Sequence, residues 1–292
     1  MPAIEVIPRR PPPRSPLRYP GGKASLAGFF NAIIARRGLN TYVEPYAGGA
    51  GAAIELLLTD SVSRIVINDL DPAIYCFWNS ITSDSDAFLD LLADTPLTLD
   101  EWRRQQEIYR SQDQTDRVAF GFATFYLNRT NRSGVMNAGV VGGQSQGGKY
   151  RIGARYYKDS LIKRIQAISA QRHRIKVTNE DGAAAIRKAF KLKHALVYAD
   201  PPYYAKGSFL YLNSFDDAKH EKLASVLNAY PDRNWVLTYD DHEVIRQLYA
   251  DRKHFNFQLQ YSAHRQTQVA ELMVVSESLS PSVAIPSMSL VP

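Results

Sequence analysis

Val43-Glu44-Pro45-Tyr46-Ala47-Gly48-Gly49-Ala50-Gly51 reads as the end of a strand that runs into a glycine-rich turn and then into a helical stretch over residues 52–58. Glycines at such a turn let the backbone reverse tightly and approach a ligand ahead of a helix N-terminus. Further on, Arg64-Ile65-Val66-Ile67-Asn68 reads as a second strand ending in Asp69. An acid roughly 20 residues after such a turn is the usual partner of ribose hydroxyls in nucleoside-binding sheets. Outward from this unit the β-α rhythm holds. Upstream come a helix over 23–36 and a strand over 41–44; downstream, a helix starts near Pro72, with Asp71 before it. Helices over 161–171, 183–190, 217–229 and 243–249 then alternate with strands over 175–178, 195–199 and 235–238. This order predicts an α/β fold with a mostly parallel, Rossmann-like sheet and helices on both faces. The strands over 255–261 and 270–275 predict an antiparallel hairpin at its edge.

The second informative string is Asp200-Pro201-Pro202-Tyr203, directly after the apolar strand over 195–199. It places one acidic acceptor, proline carbonyls and an aromatic face at a strand's carboxyl end. That is a socket for a planar exocyclic amine, and it suits methylation of a base amino group, with the amine hydrogens held by acceptors and its lone pair steered toward an electrophilic methyl. The same string can also be a capped turn in polyproline geometry. Its position after the glycine turn and the acid favours the socket.

The region over 82–159 departs from the rhythm. Polar helical segments around 101–110 and 117–127 lead into the glycine-rich run over 137–149, and the whole is expected to be an inserted, mainly helical domain. The remaining expectations are a flexible Pro/Arg-rich leader over 1–16, a catalytic domain over 17–81 and 160–275, and a flexible tail over 276–292. Composition is compatible with this: 292 residues with 45% hydrophobic content can build a core and an insertion. The 35 basic against 29 acidic residues, with pI near 9.2, favour an anionic partner. A single cysteine, Cys76, excludes an internal disulfide and a cysteine metal cluster, and points to a cytoplasmic location. No apolar run approaches a membrane span, the N-terminus lacks the core of a signal peptide, and the six histidines show no metal-ligand spacing.

In this order the motifs resemble those of the Dam-type, alpha class DNA adenine N6-methyltransferases, over about residues 17–275. The resemblance begins at Arg18-Tyr19-Pro20-Gly21-Gly22-Lys23 and continues through the glycine turn and Asp69. It then takes in Phe125-Tyr126-Leu127-Asn128-Arg129-Thr130-Asn131-Arg132-Ser133-Gly134, similar to the family's target-recognition signature, the catalytic tetrapeptide, and Thr238-Tyr239-Asp240-Asp241-His242. The glycine turn is one residue longer than in the best-known members, and the recognition signature differs from theirs.

The resemblance implies S-adenosylmethionine as methyl donor, no metal, and double-stranded DNA as substrate, with a monomeric enzyme that can accompany a cognate restriction endonuclease. It implies that Tyr19, Lys23, Glu44, Pro45, Tyr46, Ala47, Gly48, Gly49, Asp69, Asp181 and Asp200 surround the cofactor. Asp200, Pro201, Pro202 and Tyr203 would handle the target, with Tyr203 stacking on a flipped base. Asn128, Arg129, Asn131, Arg132 and Ser133 would read base edges, and Lys149, Arg151 and Arg155 would meet phosphates. Alternatives stay open at this stage. Asp71 could replace Asp69 or cap a helix, Asp181 could be a cap, and Lys206-Gly207-Ser208 could be a flap or an ordinary loop. The amine could be cytosine N4, or the chain could be an idle DNA-binding regulator on the same fold.

Overall fold

The computed structural model describes residues 14–19, 22–204, 215–259, 269–279 and 289–290. Strands β1 (Thr41–Glu44), β2 (Arg64–Asn68), β3 (Ile175–Thr178), β4 (Ala195–Ala199), β5 (Trp235–Asp240), β6 (Lys253–Leu259), β7 (Val269–Val275) and β8 (Ser289–Leu290) form one sheet in the order β3-β2-β1-β4-β5-β7-β6-β8. The first five are mutually parallel, and β7 is antiparallel to both β5 and β6. β1 and β4 are buried along their whole length, as befits central strands covered on both sides.

Side-chain alternation divides the core in two. Tyr42, Ile65, Ile67, Leu196, Tyr198, Val236, Met273 and Val275 face one apolar layer. Helices α1 (Ala27–Arg37), α2 (Gly51–Leu58), α3 (Pro72–Ser83), α4 (Ser85–Asp94), α5 (Leu99–Ser111), α6 (Arg117–Thr130) and α7 (Lys158–Ser169) contribute to that layer. Val43, Val197, Ala199, Leu237, Tyr239, Leu272 and Val274 face the other, covered by α8 (Gly182–Ala189), α9 (Asp217–Asn228) and α10 (Glu243–Leu248). Helix starts follow local chemistry. Asp71, with Pro72 at the first position of α3, accepts from the Ala73 N–H at 2.9 Å, Thr98 caps α5 through Glu101 N at 3.1 Å, and Asp116 caps α6 through Ala119 N at 2.9 Å.

Several local expectations need correction. The segment over 117–127 is not polar: from Phe120 to Thr130 every residue of α6 is buried, and Phe120, Phe122, Phe125 and Tyr126 join the same core as the sheet. Full burial of each such ring is worth about 1.5–3 kcal/mol. Gly121 lets α6 approach α3 closely, since a Cβ there would stand 2.7 Å from the Cys76 carbonyl oxygen. Helix α4 lies in a stretch the sequence left unassigned. The closing strands pair antiparallel at that end of the sheet as expected, with β7 next to β5 and β6 outside it, and the short β8 extends the edge by one further strand. The tail is not uniformly unstructured: Ser276 and Leu279 are buried, and β8 pairs with β6. At the end of the leader, Arg14 bonds Leu58 O at 2.9 Å and Ser15 Oγ bonds Gly49 O at 2.5 Å. The Lys206 to Ser208 flap lies outside the described residues.

Candidate active site

The strand order reverses between β1 and β4, whose following helices α2 and α9 cover opposite faces. In open α/β sheets the crevice beyond the carboxyl ends of two such strands is where ligands bind. Alternation decides what points into it. Glu44 and Asp200 continue the side of Tyr42 and Tyr198, on the α1–α2 layer. Thr238 lies on that side of β5. Because β7 runs antiparallel, its start lies beside the ends of the parallel strands, with Glu271 opposite Asp240 in register, on the same face as Met273 and Val275.

Lys23 joins these acids. It opens a single 3-10 turn ahead of α1 and is 6% exposed. Its Nζ lies 3.1 Å from Asp200 Oδ2 and 3.5 Å from Glu271 Oε2, and donates to the Tyr203 phenol oxygen at 2.8 Å. The other Asp200 oxygen, Oδ1, accepts from Thr238 Oγ1 at 2.7 Å, and that hydroxyl is itself 2.7 Å from the Tyr198 phenol. The catalytic-string carboxylate is thus held from two sides. Tyr204 continues the loop, its N–H donating to Asp240 Oδ1 at 2.9 Å. Burial pushes the Glu271 carboxyl up to about 7, with Lys23 opposing and Asp200 reinforcing the shift. Glu44 is buried, accepts from Ala53 N at 3.0 Å in the first turn of α2, and is pushed by burial to about 8.

The glycine turn is built as a cradle. Gly48 has φ +46° and Ala50 φ +44°, so the chain passes through left-handed geometry just before α2. A Cβ at Gly48 would meet the Tyr19 ring at 2.7 Å, and one at Gly49 would meet Tyr19 Cβ at 2.9 Å. Tyr46 packs its ring over Gly182. Trp78 Nε1 donates to Gly48 O at 2.8 Å. Asp69, at the tip of β2, accepts from Gly48 N at 2.8 Å through Oδ2 and from Asp71 N at 3.0 Å through Oδ1. Burial raises its pKa to about 7 against those two backbone bonds. A carboxylate has about four lone-pair positions, so two remain for vicinal hydroxyls. A glycine turn without room for side chains, with an acceptor at its rim, fits the ribose end of a nucleoside cofactor.

The structure sorts the remaining sequence assignments. Asp71 caps α3. Asp181 caps α8 through Ala184 N at 3.1 Å and pairs with Lys222 at 3.1 Å. Pro45 O accepts from the buried Asn68 amide at 2.8 Å, and Ala47 N donates to Asn68 O at 2.9 Å. Asn128 and Asn131 require correction. Both are buried, and their amides are engaged by backbone: Asn128 with Arg18 N at 2.7 Å, Arg18 O at 2.8 Å and Gly134 O at 3.0 Å; Asn131 with Val135 O at 3.1 Å, Met136 O at 2.9 Å and the Trp102 indole at 2.7 Å. They tie the segment after α6 together. Arg129 is also interior, 7% exposed. Arg132, Ser133, Lys149, Arg151 and Arg155 are exposed, with Ser133 at φ +56°. Sequence reasoning gave no role to Glu271, though an acid within Ala270-Glu271-Leu272-Met273-Val274-Val275 was a visible signal. Among the described residues no group of three or more His, Cys, Asp or Glu side chains is arranged to hold a metal ion, and no helix is long and apolar enough to cross a membrane.

Fold and site define an α/β protein with a crevice at the sheet's reversal point, where a glycine turn rimmed by Asp69 lies beside the strand-end string Asp200-Pro201-Pro202-Tyr203. The chain belongs to the D12 class N6 adenine-specific DNA methyltransferase family, whose profile matches residues 19–266. It is an adenine-specific DNA methyltransferase, which separates it from the cytosine N4 alternative and from a mere binding module. It is 22% identical over 204 residues to the type II methyltransferase M.MjaIII of Methanocaldococcus jannaschii, covering 64% of this chain and 68% of that protein. Among solved structures it aligns with the rRNA methyltransferase aviRa from Streptomyces viridochromogenes at 13% identity and TM-score 0.36, over 96% of this chain and 94% of that one.

Proposed function

We propose that the protein transfers a methyl group from S-adenosylmethionine to the N6 amine of one adenine within a specific double-stranded DNA site. The observation that carries the residue assignment is the placement of Asp200 at the tip of β4, with Oδ1 fixed by Thr238 and Oδ2 beside Lys23. When bound, the cofactor supplies an electrophilic sulfonium methyl, so the chemistry calls for no metal. Asp69 and the Gly48–Gly49 cradle hold the ribose end, while Asp200 places negative charge, and Glu44 a carboxyl acceptor, at the reversal point where the cofactor's cationic end belongs. Asp200 and the Pro201 carbonyl accept the hydrogens of the target amine and hold its lone pair toward the methyl in a near-attack geometry. Nitrogen is nucleophilic without prior deprotonation, and its extra proton leaves after the bond to carbon has formed. Pro202 fixes the backbone between acceptor and aromatic ring. Tyr203 stacks on the base once it has been rotated out of the duplex, where the target nitrogen is otherwise unreachable.

The region over 82–159 reads the target through Arg132 and Ser133 and meets phosphates through Lys149, Arg151 and Arg155. The enzyme acts as a monomer in the cytoplasm, paired with an endonuclease of the same specificity, the reading prompted by the type II relative. Incubation of the purified protein with duplex DNA and labelled S-adenosylmethionine, followed by mass spectrometry of the nucleosides, tests the reaction. N6-methyladenine is the expected product. N4-methylcytosine, or no methylated nucleoside, contradicts the proposal.

A further inference from the structure

Arg18, Arg129, Arg155 and Arg164 gather on the α6 side of the molecule, and among the described residues no carboxylate pairs with them. Arg129 comes from the last turn of α6 and is 7% exposed. Its neighbour in sequence, Asn128, clamps the backbone of Arg18 on both its N–H and its C=O. Gly134 allows that clamp: it sits at φ +76°, where a Cβ would come within 2.6 Å of Arg18 O. Tyr156 packs its ring on Phe125 and Tyr126 at 5.8 and 5.7 Å between centroids, which brings the end of the Ile152–Arg155 turn to the same helix. Arg164 of α7 is anchored by donating to Ser15 O at 3.2 Å, three residues before Arg18.

Three buried polar atoms here have no hydrogen-bond partner: Arg18 Nη1, Arg129 Nε and the Tyr156 hydroxyl. Among the described residues no carboxylate lies within ion-pair distance of any of the four arginines. Burial, followed by the nearby charges of Arg18 and Arg164, lowers the Arg129 pKa to about 10, and burial followed by Arg155 lowers that of Arg18. A buried guanidinium with an unmade bond, crowded by others, is unfavourable unless something anionic completes it. Guanidinium donors are planar and forked, and an unmade bond on a buried one suits a phosphate-type oxyanion.

We infer that Arg18, Arg129, Arg155, Arg164 and the Tyr156 hydroxyl form a binding site for one phosphodiester of the DNA backbone, so that Arg129 is a phosphate-binding residue and reads no base. The inference rests on the reading of the protein as a DNA-binding methyltransferase. The site lies beside the opening segment that carries Tyr19 and Lys23 to the active site, so seating a phosphate there ties DNA binding to the position of that segment.

The test uses the full chain and Arg129→Met, which removes the charge and keeps the volume. Because a buried uncompensated charge is relieved, the DNA-free variant is expected to melt at or above the wild-type temperature. Its affinity for duplex DNA should fall about tenfold or more, alike for cognate and non-cognate sequences, with a salt slope shallower by about one. Arg155→Ala, at an exposed position and so without risk to folding, should shift affinity and slope in the same direction. Inorganic phosphate should stabilise wild type more than Arg129→Met when compared with chloride at equal ionic strength. A loss confined to the cognate sequence, or an unchanged salt slope in both variants, overturns the inference. So does weaker S-adenosylmethionine binding with DNA binding intact, which would make the anion the cofactor's carboxylate. Duplex binding and melting are measured without turnover, so a protein that binds DNA as expected but does not methylate would contradict the proposed reaction and leave the phosphate site standing. A wild-type protein that does not bind duplex DNA at all removes both.

Discussion

Lys23 Nζ stands 3.1 Å from Asp200 Oδ2, although 177 positions separate the two residues in the chain. The cation is buried and shared, with Glu271 at 3.5 Å and the Tyr203 phenol at 2.8 Å beside it. Lys23 therefore holds the carboxylate proposed to be catalytic and lies one residue from Ala24, which packs on the glycine turn at Gly51. Asp200→Ala should abolish methyl transfer in a single-turnover assay while cofactor binding persists, because the acceptor for the amine is lost and the ribose end of the site is not.

Lys23→Met should both inactivate and destabilise the enzyme. Removing one member of a buried charge cluster leaves its partners uncompensated, an effect of about 3–5 kcal/mol. Here Glu271, already raised to about 7, can take a proton instead, so the deficit should be smaller at pH 6 than at pH 8. Lys23→Met combined with Glu271→Gln should recover stability without recovering activity. Recovery of both would mean that Lys23 acts only in folding.

The pH dependence of stability follows from the buried acids Glu44 and Glu271 and the half-buried Asp69. Glu44, Asp69 and Glu271 are raised to about 8, 7 and 7, in each case mainly by burial. An acid whose folded pKa exceeds its unfolded value binds more protons folded than unfolded. Its contribution is greatest below the unfolded pKa and declines as pH rises through the folded one. The DNA-free, cofactor-free protein should thus lose stability between about pH 5 and pH 8, on the order of 1 kcal/mol per unit for each fully buried acid. Chemical denaturation across that range tests it, and Glu44→Gln should flatten the profile. Stability that climbs with pH throughout would refute the assignment.

Asp69 and Asp71 separate cleanly. Asp69→Ala should weaken S-adenosylmethionine binding by about 1.5–3 kcal/mol, the range for a hydrogen bond involving a charged group. Asp71→Ala should remove a helix cap worth about 1 kcal/mol of stability and leave cofactor affinity nearly unchanged. Calorimetric titration of both variants decides the point, and the reverse pattern would move the cofactor role to Asp71.

These contrasts show which parts of the site could be read from sequence. Glu44, Asp69 and Asp200 each lie at the end of a strand of local, unmistakable composition, so their position at the carboxyl end of the sheet follows from short-range pattern alone. Glu271 belongs to the same site only because β7 slots between β5 and β6 in the reverse direction, a long-range pairing that no local period encodes. Asn128 and Asn131 misled for a related reason. Polar residues at the end of a helix look available to a ligand, and only the return of the chain at Arg18 and Val135 shows that their amides satisfy buried backbone groups. Helix α6 looked peripheral because Asn128, Arg129 and Thr130 sit in its last turn. Its rings point inward on all sides because α3, α5 and the Tyr156 segment surround it, and that is a tertiary fact.

Arg132 and Lys149 remain the sharpest probes of target recognition. Both are exposed, yet they stand differently. The Arg132 backbone is pinned, its N–H donating to Gly139 O at 3.0 Å, within a segment tied by the Asn131 amide, so its guanidinium projects from a fixed base suited to reading an edge. Lys149 follows the run Gly142-Gly143-Gln144-Ser145-Gln146-Gly147-Gly148 and lies 5.8 Å from the Tyr150 ring centroid, a placement that fixes charge without fixing direction. Arg132→Ala should lower discrimination between the true site and single-mismatch sites by about 1–3 kcal/mol. Lys149→Ala should weaken binding to all sequences alike and flatten the salt dependence by about one unit of slope. Binding to cognate and mismatched duplexes at several salt concentrations separates the two roles. If both variants kept wild-type specificity and salt slope, recognition would have to lie outside the region over 82–159, and the division of labour between that region and the sheet would fall with it.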